Sequence, residues 1–305
     1  MNELTQKPII NHYNYRELKG KFVVSTDAGV ITILEKEEFD KLKKEEFDKN
    51  LEEKLLKTGV LINKKNVNEI VKKIQKKNSF LFNGVSLHIM VLTLRCDMKC
   101  VYCQASSTCQ NGKGYDLDEE TAKKTVDFIF QSPNSNINIE FQGGEPLLNF
   151  EILKKTVEYA KKKNKKYQKN LIFSLVSNMT LMTEKIMDWL IDNRVGVCTS
   201  LDGPKELHNK NRISQDGKNY ENVVKWIKKF NEKYEKINFG KMNALVTLTK
   251  ESLKYPTEII DEYVNLGVEN IHLRFLNSLG YAKKTWDKIY YDEHEFLEYW
   301  NKALD

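Results

Sequence analysis

A regular alternation of strand and helix patterns from residue 87 onward constrains the fold of this chain most strongly. Apolar strand patterns occur at 87–94, 137–141, 171–176, 195–201, 242–248 and 270–276. Amphipathic helix patterns separate them or follow the last, at about 118–131, 149–163, 184–193, 220–233, 257–266 and 292–303. Such repetition indicates βαβ units and a parallel sheet. Six units are fewer than the eight of a closed barrel, so we predict an α/β fold, a partial (β/α)6 TIM-like barrel. A flat doubly wound sheet is the alternative.

The first 84 residues do not show this regular alternation of strand and helix patterns. Short β patterns at 21–26 and 30–34 are joined by Asp27-Ala28-Gly29, which suits a tight hairpin. A helix pattern over 37–57 ends at Gly59, and a short apolar run and a second helix pattern follow it. We therefore predict a small α+β module, residues 1–84, ahead of a core domain, residues 85–305. The module is either a cap on the core or a peptide-recognition element that offers a strand edge or a groove.

Composition and charge limit the kinds of partner that the chain can bind and the cellular compartment that suits it. The chain has 305 residues and a net charge of +6, with its lysines spread along the sequence. The densest basic run, 161–166, lies where a helix pattern ends, which favours a solvated helix end over a nucleic-acid patch. No apolar run reaches the roughly 18 residues that a membrane span requires, and the polar N-terminus is unlike a signal peptide. An odd number of cysteines, five, suits a reducing compartment, so we expect a cytoplasmic protein without a membrane partner.

Three of those cysteines follow the first core strand directly. Cys96, Cys100 and Cys103 have the spacing C-x3-C-x2-C, which lets three thiolates surround one face of a metal centre. A [4Fe–4S] cluster normally takes four thiolates, so three local cysteines leave one iron open to a small molecule. Two alternatives remain: a zinc site with Cys109 as the fourth ligand, or a structural or electron-transfer cluster.

Polar and glycine-rich clusters also follow the ends of the other strand patterns. In chain order they are Gly143-Gly144-Glu145-Pro146, Ser177-Asn178, 200–204 and 274–278. Chemistry in barrels of this class gathers at these carboxyl-terminal strand ends. Glu145 can accept hydrogen bonds from a bound ammonium group, beside two glycines that let the backbone approach a ligand closely. Arg212 can pair with a carboxylate and Ser200 can donate to it, although Arg212 taken alone equally fits a surface arginine.

These residues carry a resemblance to a known family. The cysteine motif, with Tyr102 before its last cysteine, resembles the signature of radical S-adenosylmethionine (SAM) enzymes. The 143–146 motif resembles the segment that binds the methionyl amine in that family. The resemblance implies a [4Fe–4S] cluster held by Cys96, Cys100 and Cys103, with SAM at the open iron. It further implies reductive cleavage of SAM to a 5′-deoxyadenosyl radical that abstracts hydrogen from a substrate.

A narrower resemblance points to the branch that modifies peptides and proteins. Residues 200–204, followed by His208 and Arg212, are similar to anaerobic sulfatase maturases, and several segments are most similar to the His-Xaa-Ser system maturase. The resemblance assigns to SAM binding the residues Tyr102 (adenine, through its backbone), Gly143, Gly144, Glu145, Ser177, Asn178, Ser200 and Arg212. It implies a peptide or protein substrate and an electron donor such as flavodoxin or ferredoxin.

The chain departs from this branch near its C-terminus. Members usually carry a further cysteine-rich region for auxiliary clusters, whereas only Cys109 and Cys198 remain here. We therefore expect a truncated or naturally short form, and we name no catalytic acid or base. The functional prediction is a radical SAM enzyme that matures ribosomally made peptides. The alternatives are a non-catalytic peptide-binding partner, or a radical SAM enzyme that acts on RNA or a small molecule.

Overall fold

The computed structural model describes residues 7–304 of the chain. The chain forms two compact units, Met1–Gly84 and Val85–Asp305, which we call the N-terminal unit and the C-terminal unit. Each has a hydrophobic core of its own. The two units are therefore described separately.

The described residues of the N-terminal unit form a three-stranded antiparallel sheet, a separate pair of short strands and three α-helices. Its elements are β1 (Ile9–Ile10), β2 (Tyr13–Leu18), β3 (Lys21–Thr26), β4 (Ile31–Leu34), α1 (Lys36–Lys44), α2 (Lys49–Thr58), β5 (Leu61–Ile62) and α3 (Val67–Lys77). Strands β2, β3 and β4 form one sheet with β3 in the middle, and β1 pairs with β5. Alternation along β4 buries Thr32 and Leu34 and leaves Ile31 and Ile33 at the surface.

The sequence pattern over 37–57 predicts one helix, and the structure has two. The chain leaves α1 at Glu45, whose φ of 58° is left-handed and ends the helix. Asp48 then caps α2 by accepting a hydrogen bond from the Leu51 N–H at 2.9 Å. Gly59, with a φ of 76°, ends α2 as predicted. The hydrophobic spacing continues across the break, so periodicity alone does not reveal it.

The C-terminal unit contains the strand–helix repeats. Its strands are β6 (Leu87–Thr93), β7 (Arg95–Cys96), β8 (Lys99–Cys100), β9 (Thr108–Cys109), β10 (Asn136–Gly143), β11 (Asn170–Ser177), β12 (Val195–Ser200), β13 (Arg212–Ile213), β14 (Asn243–Thr247) and β15 (Ile271–Arg274). Its helices are α4 (Glu119–Ile129), α5 (Phe150–Tyr167), α6 (Glu184–Asp192), α7 (Lys205–Asn211), α8 (Asn219–Lys236), α9 (Pro256–Asn265), α10 (Ala282–Ile289) and α11 (Glu293–Leu304). The six long strand patterns of the sequence all become strands.

Those six strands form one parallel sheet in the order β15-β14-β12-β11-β10-β6. Their order in space is their order in the chain, without the reversal that defines a doubly wound sheet. The prediction of a partial TIM-like barrel is confirmed, and the doubly wound alternative is wrong. One face of the sheet packs on the helices, where Phe141, Leu175 and Val197 are almost fully buried. The carboxyl ends of all six strands meet at one edge of this sheet.

Local sequence explains where several of the helices begin. Asp118 accepts a hydrogen bond from the Thr121 N–H at 2.8 Å and caps α4, while Thr183 caps α6. Pro256 occupies the first position of α9, where its missing N–H has no helical partner to lose. Among residues 7–304, every helix is too short or too polar to cross a membrane.

Candidate functional site

The loop that leaves β6 brings the three predicted cysteine ligands together. Cys96, Cys100 and Cys103 line one cavity at the carboxyl ends of the strands, which we call the inner cavity. The predicted SAM-binding residues that line it with them are Tyr102, Gly143, Gly144, Ser177, Asn178, Ser200 and Arg212. Residues from the ends of three parallel strands, from the start of β13 and from the cysteine loop thus meet in one place.

A second cavity, the outer cavity, lies against the same three cysteines and also contacts Cys109. Strand β9 pairs in parallel with β7, so that Cys109 lies directly opposite Cys96. The structure therefore brings a fourth thiol close to the predicted ligands, but on the outer cavity and away from the residues predicted to bind SAM. Cys198, on β12, lines neither cavity.

The three thiols fit a cluster that binds each of them through a different iron. All three line both the inner and the outer cavity. Among residues 7–304 they do not converge, with one another or with His, Asp or Glu side chains, as the ligands of a single metal ion would. Burial raises the pKa of Cys96 to about 12 and that of Cys100 to about 11. Ligating thiolates at these positions would therefore need a compensating positive centre, which the iron atoms of a bound cluster would supply.

Asp97 fixes the cysteine loop to the end of β11, a role that the sequence did not reveal. Its carboxylate accepts hydrogen bonds from the Asn178 amide at 2.8 Å and from the Thr180 hydroxyl. The Met98 N–H points to the Cys96 sulfur at 3.4 Å. Contacts of this kind orient the ligands of metal sites. Asn178 therefore supports the cysteine loop, and it also lines the inner cavity.

Gly143 and Gly144 are required by the packing of two chain segments. A Cβ atom on Gly143 would lie 2.1 Å from the Thr93 carbonyl oxygen, and one on Gly144 would lie 2.2 Å from the Arg95 carbonyl oxygen. The N–H groups of Gly144 and Glu145 donate to those same oxygens at 2.8 Å. The sequence interpretation attributed the two glycines to close approach of a ligand. In the structure they let the start of the cysteine loop lie directly against the end of β10.

The Glu145 side chain does not line the inner cavity, in contrast to the expected contact with a ligand ammonium group. Its carboxylate is fully buried and accepts hydrogen bonds from the Ser177 hydroxyl (2.9 Å) and from the N–H groups of Asn178 (2.8 Å) and Leu147 (3.0 Å). Burial raises its pKa to about 7, and these three donors act against that rise. In the structure Glu145 joins the ends of β10 and β11.

A second buried network joins the cysteine loop to the end of β12. The Tyr102 hydroxyl lies 2.6 and 2.8 Å from the two Asp202 carboxylate oxygens, to which it donates, and it accepts a hydrogen bond from Arg212 Nη1 at 2.8 Å. Arg212 also pairs through its backbone with Cys100, because β13 lies antiparallel to β8. Burial raises the pKa of Asp202 to about 6, and the Arg212 guanidinium acts against that rise. Arg212 is thus a buried residue of the site and not a surface arginine.

Residues 280–285 support the cysteine loop from outside the motifs that the sequence singles out. A Cβ atom on Gly280 would lie 2.6 Å from the Gln104 carbonyl oxygen, so only glycine fits there. The Ala282 N–H donates to the Cys103 carbonyl at 3.2 Å, and the Thr285 hydroxyl donates to the Val101 carbonyl at 2.6 Å. The glycine that follows the last strand pattern was the one local signal for this contact.

Comparison with known proteins agrees with this geometry. The model of the Radical SAM superfamily matches residues 90–262, more than half of the chain. The chain is 31% identical, over 199 residues, to a cysteine-type anaerobic sulfatase-maturating enzyme of Clostridium perfringens, covering 64% of this chain and 52% of the enzyme. It spans about half the length of several curated relatives that it matches. The resemblance to sulfatase maturases is confirmed.

Solved structures extend the comparison. Native anSMEcpe with bound AdoMet and Cp18Cys peptide is similar with a TM-score of 0.52 and 26% identity, over 63% of this chain and 50% of that chain. SuiB of Streptococcus suis, solved bound to the precursor peptide SuiA, is similar with a TM-score of 0.55 and 15% identity, over 98% of this chain and 70% of that chain. At that identity the second likeness concerns the fold alone.

Proposed function

The chain belongs to the radical SAM superfamily, and from this premise we propose that it is an enzyme that abstracts hydrogen from a peptide or protein side chain. Members of the superfamily use a [4Fe–4S] cluster and S-adenosylmethionine. Once bound, this pair supplies a 5′-deoxyadenosyl radical, formed by one-electron cleavage of SAM with release of methionine. The chain's own residues bind and orient these groups and keep them away from water.

One observation carries the proposal: three thiols and the residues assigned to SAM line a single cavity. Cys96, Cys100 and Cys103 would hold the cluster, each through one iron. Gly143, Gly144 and Ser200 would contact the methionine part of SAM, and Arg212 would face its carboxylate, held in place by Tyr102 and Asp202. Glu145 would act from behind the cavity wall, and Ser177 and Asn178, which line the cavity, would connect it to the site through their hydrogen bonds to its carboxylate.

Anaerobic reconstitution tests this assignment. The chain should bind about four irons and convert SAM to 5′-deoxyadenosine. Bound zinc with no cleavage of SAM would contradict the proposal. Cys100→Ala should abolish the cluster, whereas the matched variant Cys109→Ala should retain it, since Cys109 faces the outer cavity only. Loss of iron from Cys109→Ala would mean that the cluster has a fourth protein ligand.

A peptide substrate is the second part of the proposal. The relatives are named as sulfatase-maturating enzymes, and anSMEcpe was solved with a bound peptide. In the N-terminal unit, β4 is an edge strand of its sheet, and Ile31 and Ile33 on its outer face are 66% and 55% exposed. Edge strands usually carry charges that prevent pairing with another chain. An apolar edge of this kind suits an extended peptide segment that adds as a further strand.

Binding of peptides encoded beside the gene would test the docking strand in the full chain. The double variant Ile31→Lys, Ile33→Lys should weaken binding by about tenfold or more, because two apolar contacts are lost at the edge. Val264→Lys is the matched control, since Val264 is also 66% exposed but lies on α9 in the C-terminal unit. Equal affinity in the double variant and the control would contradict docking at β4.

A further inference from the structure

The sheet face that points away from the helices carries two opposite charges and a thiol. Glu140 is on β10, Cys198 on β12 and Arg274 on β15, so Cys198 lies between the two charged residues in the strand order. The pKa of the Cys198 thiol is raised to about 12, chiefly by burial; Glu140 contributes to this rise and Arg274 opposes it. Both charges are therefore within electrostatic reach of the residue between them.

Arg274 lines the inner cavity as a partly buried cation without an anionic partner. Among residues 7–304 no carboxylate forms an ion pair with it, and the side chains that line the inner cavity include two arginines but no Asp or Glu. Arg212, the other arginine, is hydrogen-bonded to Tyr102 beside Asp202. A guanidinium held partly out of water without a counter-charge costs free energy that an anionic ligand group recovers.

Glu140 has neutral partners only. Its carboxylate accepts hydrogen bonds from the Gln142 amide and from the Ser174 hydroxyl, the latter at 3.3 Å. Strands β10 and β11 bear these groups and lie on the other side of Cys198 from Arg274. Glu140 does not itself line the inner cavity, but Gln142, which donates to it, does. A carboxylate that enters the cavity is attracted to Arg274 and repelled from the Gln142 wall, behind which Glu140 lies, so the two charges define where it stops.

We propose that Arg274 is a recognition site for an Asp or Glu side chain of the peptide substrate, and that Glu140 confines this side chain to the Arg274 side of the cavity. The inference rests on the proposed function, because it assumes that a peptide reaches the inner cavity. The inference specifies that the substrate carries an acidic residue in addition to the residue that reacts. A bidentate guanidinium–carboxylate pair also fixes the orientation of the peptide segment.

Four synthetic peptides of the form acetyl-Ala-Ala-Xaa-Ala-Ala-amide, with Xaa as Asp, Asn, Lys or Leu, provide a direct test. Their affinities for the anaerobically reconstituted chain are measured by equilibrium dialysis with S-adenosylhomocysteine present, which prevents turnover. The Asp peptide should bind about tenfold more tightly than the Asn peptide, as for a charge-assisted hydrogen bond. Arg274→Gln should remove this difference, and Arg274→Glu should transfer the preference to the Lys peptide.

Two further variants separate recognition from structure. Glu140→Gln should increase affinity for the Asp peptide a few-fold, a gain that a merely structural role of Glu140 would not produce. Lys288→Gln is the matched control, because it removes one positive charge from the exposed surface of α10, outside the segment that supports the cysteine loop. It should leave the ratio of Asp to Asn affinity unchanged.

Three outcomes would overturn the inference. The first is equal binding of the four peptides to the unmodified chain, including no measurable binding of any. The second is an Asp preference that survives Arg274→Gln. The third is a loss of S-adenosylhomocysteine affinity in Arg274→Gln as large as in Arg212→Lys, which would assign Arg274 to the cofactor. Cleavage of SAM by the unmodified chain, measured separately, decides the proposed function independently of all three.

Discussion

Two fully buried carboxylates support the cysteine loop, and they are held in different ways. Glu145 follows β10 and Asp202 follows β12, and neither side chain is accessible to solvent. Glu145 receives hydrogen bonds from neutral groups only, a hydroxyl and two backbone N–H groups. Asp202 receives a hydrogen bond from Tyr102, whose oxygen also accepts one from the Arg212 guanidinium. One network is neutral apart from its carboxylate, and the other contains a cation.

The two networks offset burial through different partners. Burial raises the pKa of Glu145 from 4.5 to about 7 even though three donors stabilise its charged form. The pKa of Asp202 rises from 3.8 to about 6, with the Arg212 guanidinium as the largest opposing influence. The two rises are of similar size, so the network with a cation and the network of neutral donors offset burial to a similar extent. The two supports therefore differ in which partner offsets burial, and they should respond differently to loss of that partner.

Removal of the cation should have the largest effect. Arg212→Met leaves Asp202 buried without positive charge, and we expect a loss of about 3–5 kcal/mol in the free energy of unfolding at pH 8. All four tryptophans, Trp189, Trp226, Trp286 and Trp300, lie in the C-terminal unit, so urea unfolding followed by their fluorescence reports on it. The double variant Arg212→Met, Asp202→Asn should recover most of the loss. An equally unstable double variant would show that lost packing, and not unpaired charge, is responsible.

The contribution of the Glu145 network to the free energy of unfolding should depend on pH. The folded pKa of about 7 lies above the ordinary value of 4.5, so the folded state binds more protons between these values. The stabilising contribution of Glu145 is then complete below pH 4.5 and is lost as the pH rises through 7. The stability of the unmodified chain relative to Glu145→Gln should therefore fall by about 3 kcal/mol as the pH rises across this range.

Urea titrations at pH 4.5, 6, 7 and 8 would measure that difference for Glu145. His208 provides an opposing background in the unmodified chain and in the variant alike, because burial lowers its pKa to about 3. Its contribution is lost as the pH falls below 6.5 and cancels in the difference between the two proteins. A difference that stays constant over the whole range would contradict a raised Glu145 pKa.

Tyr102 connects the two charges of the Asp202 network, and its removal should have a smaller effect. Tyr102→Phe keeps the ring and deletes the hydroxyl that donates to Asp202, with an expected loss of about 2 kcal/mol, typical of a hydrogen bond to a charged group. Urea unfolding measures the loss, and iron retention during anaerobic dilution measures the effect on the loop. Asp202 and Arg212 remain as partners at longer range, so the loss should stay below that of Arg212→Met. An equal loss in both variants would make the hydroxyl, not the cation, the essential element.

Much of this architecture is accessible from sequence because its signals are local. The six strand patterns, and the cysteine and glycine motifs at their ends, each lie within a few consecutive residues. Since parallel strands place their carboxyl ends at one edge, the meeting of Cys96, Gly144 and Ser200 follows from topology. The break between α1 and α2 was missed because the apolar spacing continues through it, although Asp48 carried a capping signal.

The side-chain networks behind the site were not predictable in the same way. The sequence identified Glu145 after a strand end and Arg212 a few residues beyond the 200–204 motif, and assigned both to a ligand. In the structure Glu145 bonds to residues 32 and 33 positions later, and Arg212 to Tyr102 across 110 positions. Which donors reach a buried carboxylate depends on the packing of several loops together, and periodicity contains no information about that. The sequence identified the region, but it gave no information about the protein groups that donate to the Glu145 carboxylate.

Thr285 provides an uncharged hydrogen bond for comparison with the Glu145 and Asp202 networks, and its removal should have the smallest effect on the free energy of unfolding. Its hydroxyl donates to the Val101 carbonyl at 2.6 Å, within the same cysteine loop. Thr285→Val keeps the shape and deletes this hydrogen bond, so we expect a loss of about 1 kcal/mol. No charge changes, and the loss measured by urea unfolding should therefore be the same at pH 5, 7 and 8. A loss that varies with pH as it does for Glu145→Gln would mean that movement of the loop, and not protonation of Glu145 itself, produces the pH dependence of the first support.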